Sequence, residues 1–253
     1  MSPGPLPRQR RQTLYFLEQI RSFSPVFLDT EVDMGEVLRH RDAARADGRR
    51  FSVVTYVLHA GARVLAAHPQ ANAAIHGRRL PRVAHYPQVN AKLALDRTLD
   101  GQRAVLSAVL PDLAKADLAH IQQQVSHYRD GDAANMTEFA GVRKLQGLPV
   151  PVGRFAFRRF VQPLARRGEV FGTFAVTSLG HRAVDSFHSV GGTTVTLGVG
   201  RILVRPVVRD GAVTSAPVMR LSLTFDHRVI DGGEAADILT EIKDALECFG
   251  EQP

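Results

Sequence analysis

Residues 221–246 read LSLTFDHRVIDGGEAADILTEIKDAL. A strongly apolar run ending at Phe225 breaks into the polar cluster Asp226-His227-Arg228, and a helical pattern follows. Ala235, Ile238, Leu239, Ile242 and Leu246 fall on one stripe of that helix, with Gly232-Gly233-Glu234 at its start. A strand that leads through a polar turn into an amphipathic helix is a unit of an α/β fold, and its turn is where a rigid scaffold presents reactive groups. His227 stands there. With an ordinary pKa of about 6.5, a histidine takes a proton from a nucleophile near neutral pH with little adjustment. Asp231, four residues on, is suited to fix local geometry through charge-assisted hydrogen bonds, and Gly232 to supply backbone freedom.

Working outward from this unit, the rest of the chain shows the same alternation. TLYFLEQI reads as a short helix and VFLDTEVDM as a strand. From Ser52 a helical face made by Val53, Val54, Val57, Leu58, Gly61, Val64 and Leu65 runs up to Pro69. NAKLALDR and RAVLSAVL look like two strands, followed by a helix marked by Leu118, Ile121, Val125 and Tyr128. FGTFAVTSLG, TTVTLGVGRI and VVRDGAVTS, with a turn at Asp210-Gly211, complete a strand-rich C-terminal half. No peptide between these segments is a long, polar, Gly/Ser-rich linker. The expectation is one α/β domain over residues 10–253, a mixed sheet covered by helices, preceded by a flexible arm over 1–9. Residues 141–168 carry three prolines and seven arginines or lysines. They read as a basic insertion or flap, or as a loop and short helix with a solvated basic face.

Composition narrows the function classes. The formal charge of +7 comes mostly from arginine, but the arginines are scattered, and no zinc-finger spacing or aromatic RNA-binding signature accompanies them, which speaks against nucleic-acid binding. Cys248 is the single cysteine, which excludes an intrachain disulfide and a cysteine-based metal site. The sequence contains no apolar run of membrane-spanning length and no secretory h-region in MSPGPLPRQRRQ, so the expectation is a cytoplasmic protein without a membrane partner.

The segment LSLTFDHRVIDGGEAADILTEIKDAL resembles the active-site segment of the dihydrolipoyl acyltransferase catalytic domains of 2-oxoacid dehydrogenase complexes, whose fold is shared by chloramphenicol acetyltransferase. FGTFAVTSLG and VGRILVRPVVRDG extend the resemblance, and SPVFLDTEVDMGEVLRHRDAA, SVVTYVLHAGARVLAAHPQANAAIHG and NAKLALD continue it in order along nearly the whole chain. The resemblance implies a chloramphenicol acetyltransferase-like two-layer α/β sandwich that assembles as a homotrimer or a multiple of trimers, with acyl-CoA and acceptor meeting between subunits. It implies that His227 is the general base, with Asp231 and Gly232 completing its motif. A hydroxyl that stabilises the oxyanion falls on Thr177, where serine is usual, with Ser178 as the fallback donor. Arg10, or Arg11 beside it, matches an arginine that pairs with the motif aspartate in some relatives. Acetyl-CoA is the implied co-substrate, with no permanently bound cofactor and no metal. Arg154, Arg158, Arg159, Arg166 and Arg167 are candidates for the CoA phosphates.

Three readings of the acceptor follow. Full dihydrolipoyl acyltransferases carry lipoyl and subunit-binding domains ahead of the catalytic domain, where this sequence has about ten residues. The basic insertion over 141–168, without a clear counterpart in the complex-forming enzymes, and the threonine at 177 favour the expectation of a stand-alone O-acetyltransferase acting on a small natural-product hydroxyl of tetronate type, free or carrier-bound. The second is the excised core of a dihydrolipoamide S-acyltransferase. The third, from a different class, is a non-catalytic module that docks a carrier protein through its basic insertion. His181, Phe187 and His188 follow the Thr177 strand and are candidates for the acceptor side.

Overall fold

The computed structural model describes residue 4 and residues 6–77, 79–99 and 101–250. Part of the arm expected over 1–9 lies outside the described residues. Within them, Arg8–Arg10 form a turn of 3-10 helix that runs straight into α1 (Arg11–Gln19).

Six strands make the main sheet: β1 (Pro25–Asp33), β4 (Ala91–Leu99), β5 (Gln102–Leu110), β6 (Phe174–Ser178), β7 (Val195–Arg209) and β8 (Ala212–Asp226), in the order β1-β8-β7-β6-β4-β5. The two internal pairs β4/β6 and β6/β7 are parallel; the others are antiparallel. This is the mixed sheet expected. β2 (Ala73–His76) and β3 (Arg82–His85) form a separate antiparallel pair. Residues 195–200 of β7 and 221–226 of β8 are buried without alternation, as strands covered on both faces must be. Asp210 and Gly211, with φ of 51° and 78°, form the β7–β8 turn, the left-handed pair of a tight hairpin. Toward that turn the hairpin leaves the core, and Val204, Val208 and Val213 are about three-quarters exposed.

The helices α2 (Gly35–Ala46), α3 (Val53–Ala67), α4 (Leu118–Asp130) and α8 (Gly232–Glu247) supply much of the main core. Ser52 caps α3 by accepting from the Thr55 N–H, and Gln122 of α4 accepts from both the Ser52 N–H and the Thr55 hydroxyl, so a polar knot sets where α3 starts. On α8 the stripe Ala235, Ile238, Leu239, Ile242 and Leu246 is buried as its spacing requires. Each large side chain in it contributes about 1.5–3 kcal/mol. Ile242→Ala would cost about 2–5 kcal/mol.

The 141–168 segment departs from the loop-and-short-helix expectation. It folds into α5 (Ala140–Gly147), α6 (Val150–Phe160) and the start of α7 (Leu164–Phe171). Its prolines do not break these helices because they sit at their beginnings: Pro149 and Pro163 are N-caps, and Pro151 lies in the first turn of α6, where the missing N–H costs nothing. Phe157 and Phe171 join Tyr15 of α1 in a small second core. The Arg154 guanidinium grips the Glu18 carboxylate with two bonds of 2.6 and 2.7 Å.

Candidate active site

β8 delivers the motif. Asp226 is its last residue, 2% exposed, and its carboxylate accepts from Arg228 Nε at 2.9 and 3.2 Å and Nη2 at 2.5 Å, and from the Arg228 and Ser24 N–H groups. The His227 N–H donates to the Ser24 carbonyl at 2.9 Å. The turn is thus pinned to the start of β1, and His227 projects from a fixed backbone with its side chain about half exposed. Its Nδ1 lies 3.4 Å from the Asp231 carboxylate, near enough for electrostatic orientation and long for a hydrogen bond. Asp231 is the N-cap of α8, yet its side chain makes no capping bond. It is also 92% exposed, so its hold on His227 in the isolated chain is weak.

Gly232 does not play the part expected of it. It opens α8 without a positive φ, and a Cβ there would meet nothing within 4 Å. Neither arginine near the N-terminus reaches Asp231 in this chain. Arg10 ends the 3-10 turn, and Arg11 donates to the carbonyls of Gln146 and Leu148 on the far side of α1.

Thr177 lies on β6, half-buried, and its hydroxyl makes no hydrogen bond among the described residues. Ser178 Oγ accepts from the Gly180 N–H at 3.4 Å. The sheet register places Thr177 far from His227. Phe174, Val195 and Phe225 are neighbours across β6, β7 and β8, while Thr177 is level with Gly198 and Ser222. β6 therefore runs away from the end where His227 stands. At about 3.3 Å per residue along a strand and about 4.8 Å between strands, the two residues are on the order of 15–20 Å apart. One chain does not bring them together.

Of the trailing candidates, His188 faces Phe27 edge-on and lies 4.0 Å from Asp29, and the Phe187 carbonyl accepts from the Ser222 hydroxyl. His181 is exposed. Among the arginines offered for phosphate contact, Arg154 is occupied by Glu18 and Arg167 is buried, whereas Arg158, Arg159 and Arg166 are not buried.

Two cations are buried close to the Asp226–Arg228 turn: Lys92, which the sequence reading did not single out, and Arg167, which it offered only as a phosphate contact. Lys92 on β4 donates from Nζ to the Gly191 carbonyl at 3.0 Å and lies 3.6 Å from the centre of the Phe171 ring and 4.4 Å from that of Phe16. Arg167 on α7 donates to the Gly192 carbonyl at 2.7 Å, and the Gln19 amide oxygen, in the orientation that satisfies both its ends, accepts from the same guanidinium. Gly192, at φ 78°, makes this turn, and a Cβ there would press on Phe16 and Phe171. Burial pushes the Lys92 ammonium down to about 7, with the Arg167 charge adding to it, and burial also lowers Arg167. A lysine between Ala91 and Leu93 in an apolar strand was the available signal. Among the described residues, no group of three or more His, Cys, Asp or Glu side chains is placed to hold a metal ion, and no helix is long and apolar enough to cross a membrane.

Residues 167–251 match the family described as 2-oxoacid dehydrogenases acyltransferase (catalytic domain). The dihydrolipoyllysine-residue succinyltransferase component of the 2-oxoglutarate dehydrogenase complex of Pseudomonas aeruginosa is 26% identical over 91% of the chain and 49% of the relative; the chain spans about half the length of the curated relatives it matches at full extent. The dihydrolipoamide acetyltransferase of Azotobacter vinelandii, solved to examine the role of a serine, a histidine and an asparagine in its mechanism, superposes with a TM-score of 0.73 at 23% identity over 98% of this chain and 91% of that one. A chloramphenicol acetyltransferase superposes at 0.55 and 17% identity over 96% of both chains. The segment holding Thr177, His227 and Asp231 is thus similar to the 2-oxoacid dehydrogenase acyltransferase catalytic domain, and the whole chain has the α/β fold common to the dihydrolipoamide and chloramphenicol acetyltransferases.

Proposed function

We propose that the protein is an acyl-CoA-dependent acyltransferase in which His227 is the general base. The observation that carries this reading is the pinned strand end. Asp226, Arg228 and Ser24 hold the backbone of an exposed histidine whose Nδ1 faces a carboxylate, which leaves Nε2 to receive a proton. Nε2 removes the proton of the acceptor thiol or hydroxyl, and the freed sulfur or oxygen attacks the thioester carbonyl of acyl-CoA. The oxyanion of the tetrahedral intermediate accepts a hydrogen bond from Thr177 of the partner subunit. Collapse expels the CoA thiolate, which takes the proton back from the imidazolium, so no acyl-enzyme and no metal enter the cycle.

The separation of His227 from Thr177 within one chain supports a site completed by a second copy. The exposed valines of the β7–β8 hairpin offer apolar surface for such a contact. The assembly we propose is a homotrimer or a multiple of trimers.

For the acceptor, the relatives favour the thiol of a dihydrolipoyl group. A small-molecule hydroxyl of tetronate type is the second reading. The β-branched Thr177 favours it, as does the cavity of about 940 Å³ beside the motif, with Arg21, Arg167 and Arg228 in its wall. CoA release from acetyl-CoA, measured with dihydrolipoamide and with a hydroxymethyl tetronate in wild type and His227→Ala, tests both. Turnover lost in the variant supports the mechanism, the better acceptor chooses between the readings, and undiminished turnover in the variant overturns His227 as base.

A further inference from the structure

Beside the Asp226–Arg228 turn lies a cavity of about 940 Å³ bounded by the 3-10 turn Ile20–Ser22, the end of β2 and α7. Its charges do not balance. Arg167, only 9% exposed, forms part of the wall and has no carboxylate within ion-pair distance among the described residues. Lys92, 7% exposed, is bonded to the carbonyl next to the one that holds Arg167, and it too lacks a carboxylate. The two carboxylates nearby are committed elsewhere, Glu18 to Arg154 and Asp226 to Arg228. Arg21 and His76 add basic groups to the same wall. Buried cations are ordinarily paired, because neutral dipoles such as the Gly191 and Gly192 carbonyls replace only part of the lost hydration. The remaining wall is apolar in part, with Ile20, Phe23, Ile75 and Pro81, so the space suits more than a bare ion.

We infer that this cavity binds a small organic acid, its carboxylate beside the Arg167 guanidinium and its apolar body against Phe23 and Ile75. Nη2 of Arg167 is taken up by Gly192 and Gln19, so the guanidinium meets the carboxylate through its remaining N–H groups and its unneutralised charge. The existing bonds of Arg167 to Gly192 and Gln19 hold its plane in place, so little ordering is left for the ligand to impose. Binding there rests on the chain's own charges and needs no acyl transfer.

The test is binding to the intact protein with no acyl donor present, so its failure and the failure of the acyl-transfer reading are separately visible. Phenylacetate is the probe and phenylacetamide its neutral isostere, followed by ligand-observed NMR and thermal shift. Saturable phenylacetate binding in the millimolar range or tighter is expected, weakened about tenfold or more for the amide and for Arg167→Gln. Should Arg167→Gln fail to fold, Arg21→Gln on the exposed wall is expected to weaken binding about threefold. Equal binding of acid and amide, no saturable binding of the acid, or affinity unchanged in both arginine variants overturns the proposal. Competitive displacement of phenylacetate by free CoA assigns the cavity to nucleotide phosphates and overturns the organic-acid assignment.

Discussion

His227 and Thr177 stand at opposite ends of the same three-strand patch: β6 carries Thr177 level with Ser222, while His227 lies beyond Phe225 at the other end of β8. If both act on one intermediate, they come from different copies. Two inactive variants, His227→Ala and Thr177→Val, co-expressed in one assembly, are then expected to recover about a quarter of wild-type activity, because random mixing leaves that share of interfaces with both groups intact. Mixed assemblies as inactive as their parents would place the two residues in separate roles.

Thr177 itself is tested by size against hydroxyl. Thr177→Ser keeps the donor and is expected to retain most activity. Thr177→Val keeps the shape and loses the donor, so kcat should fall by about 10²–10³ with KM little changed. Steady-state kinetics of the two variants separate a lost donor from lost packing.

Asp226 is a buried carboxylate whose partner is Arg228. Asp226→Asn leaves that guanidinium without its counter-charge and loosens the turn that carries His227. A loss of about 3 kcal/mol in urea unfolding is expected, with a fall in kcat even where the variant is fully folded.

The lysine under Phe16 and Phe171 makes stability depend on pH. Burial holds its folded pKa down at about 7, against about 10.4 in an unfolded chain. Between those values the unfolded chain binds a proton that the folded chain lacks, so the Lys92 contribution becomes less unfavourable as pH rises, and below pH 7 its penalty is present in full. Unfolding free energies of wild type minus Lys92→Met should therefore climb from about pH 7 toward pH 10; a flat difference would mean that the ammonium stays charged throughout.

Two glycines separate conformation from motif. Gly192→Ala forces a Cβ into Phe16 and Phe171 at positive φ and is expected to cost about 2 kcal/mol or more. Gly232→Ala, at an open helix start, is expected to leave stability unchanged or raise it by about 0.5 kcal/mol. Thermal unfolding of the pair checks both.

Much of this architecture was legible in sequence. The α8 stripe, the Ser52 start of α3, the Asp210-Gly211 turn and the strand leading to Phe225 follow from periodicity, capping and turn chemistry, which act over a few residues. α5, α6 and α7 were harder to read, since prolines signal a break or a beginning depending on where the neighbouring packing sets the helix start. α2, with a weakly amphipathic GEVLRHRDAARA, owes its helix to packing against α8 rather than to its own pattern.

The sequence by itself determined which chemistry the chain can offer: a histidine at a strand end, an aspartate one helical turn on, a hydroxyl at Thr177. These are properties of residue type and of local order along the chain. Only the tertiary structure decided which groups meet. It separated His227 from Thr177 through the register of β6 on β7, gave Asp226 to Arg228, freed Gly232 of any conformational demand, and buried Lys92 and Arg167 side by side. Such outcomes depend on which strands pair and what packs over their ends, and contacts between residues 75 or more positions apart along the chain, such as those of Lys92 with Phe171 and Gly191, leave no periodic mark in sequence.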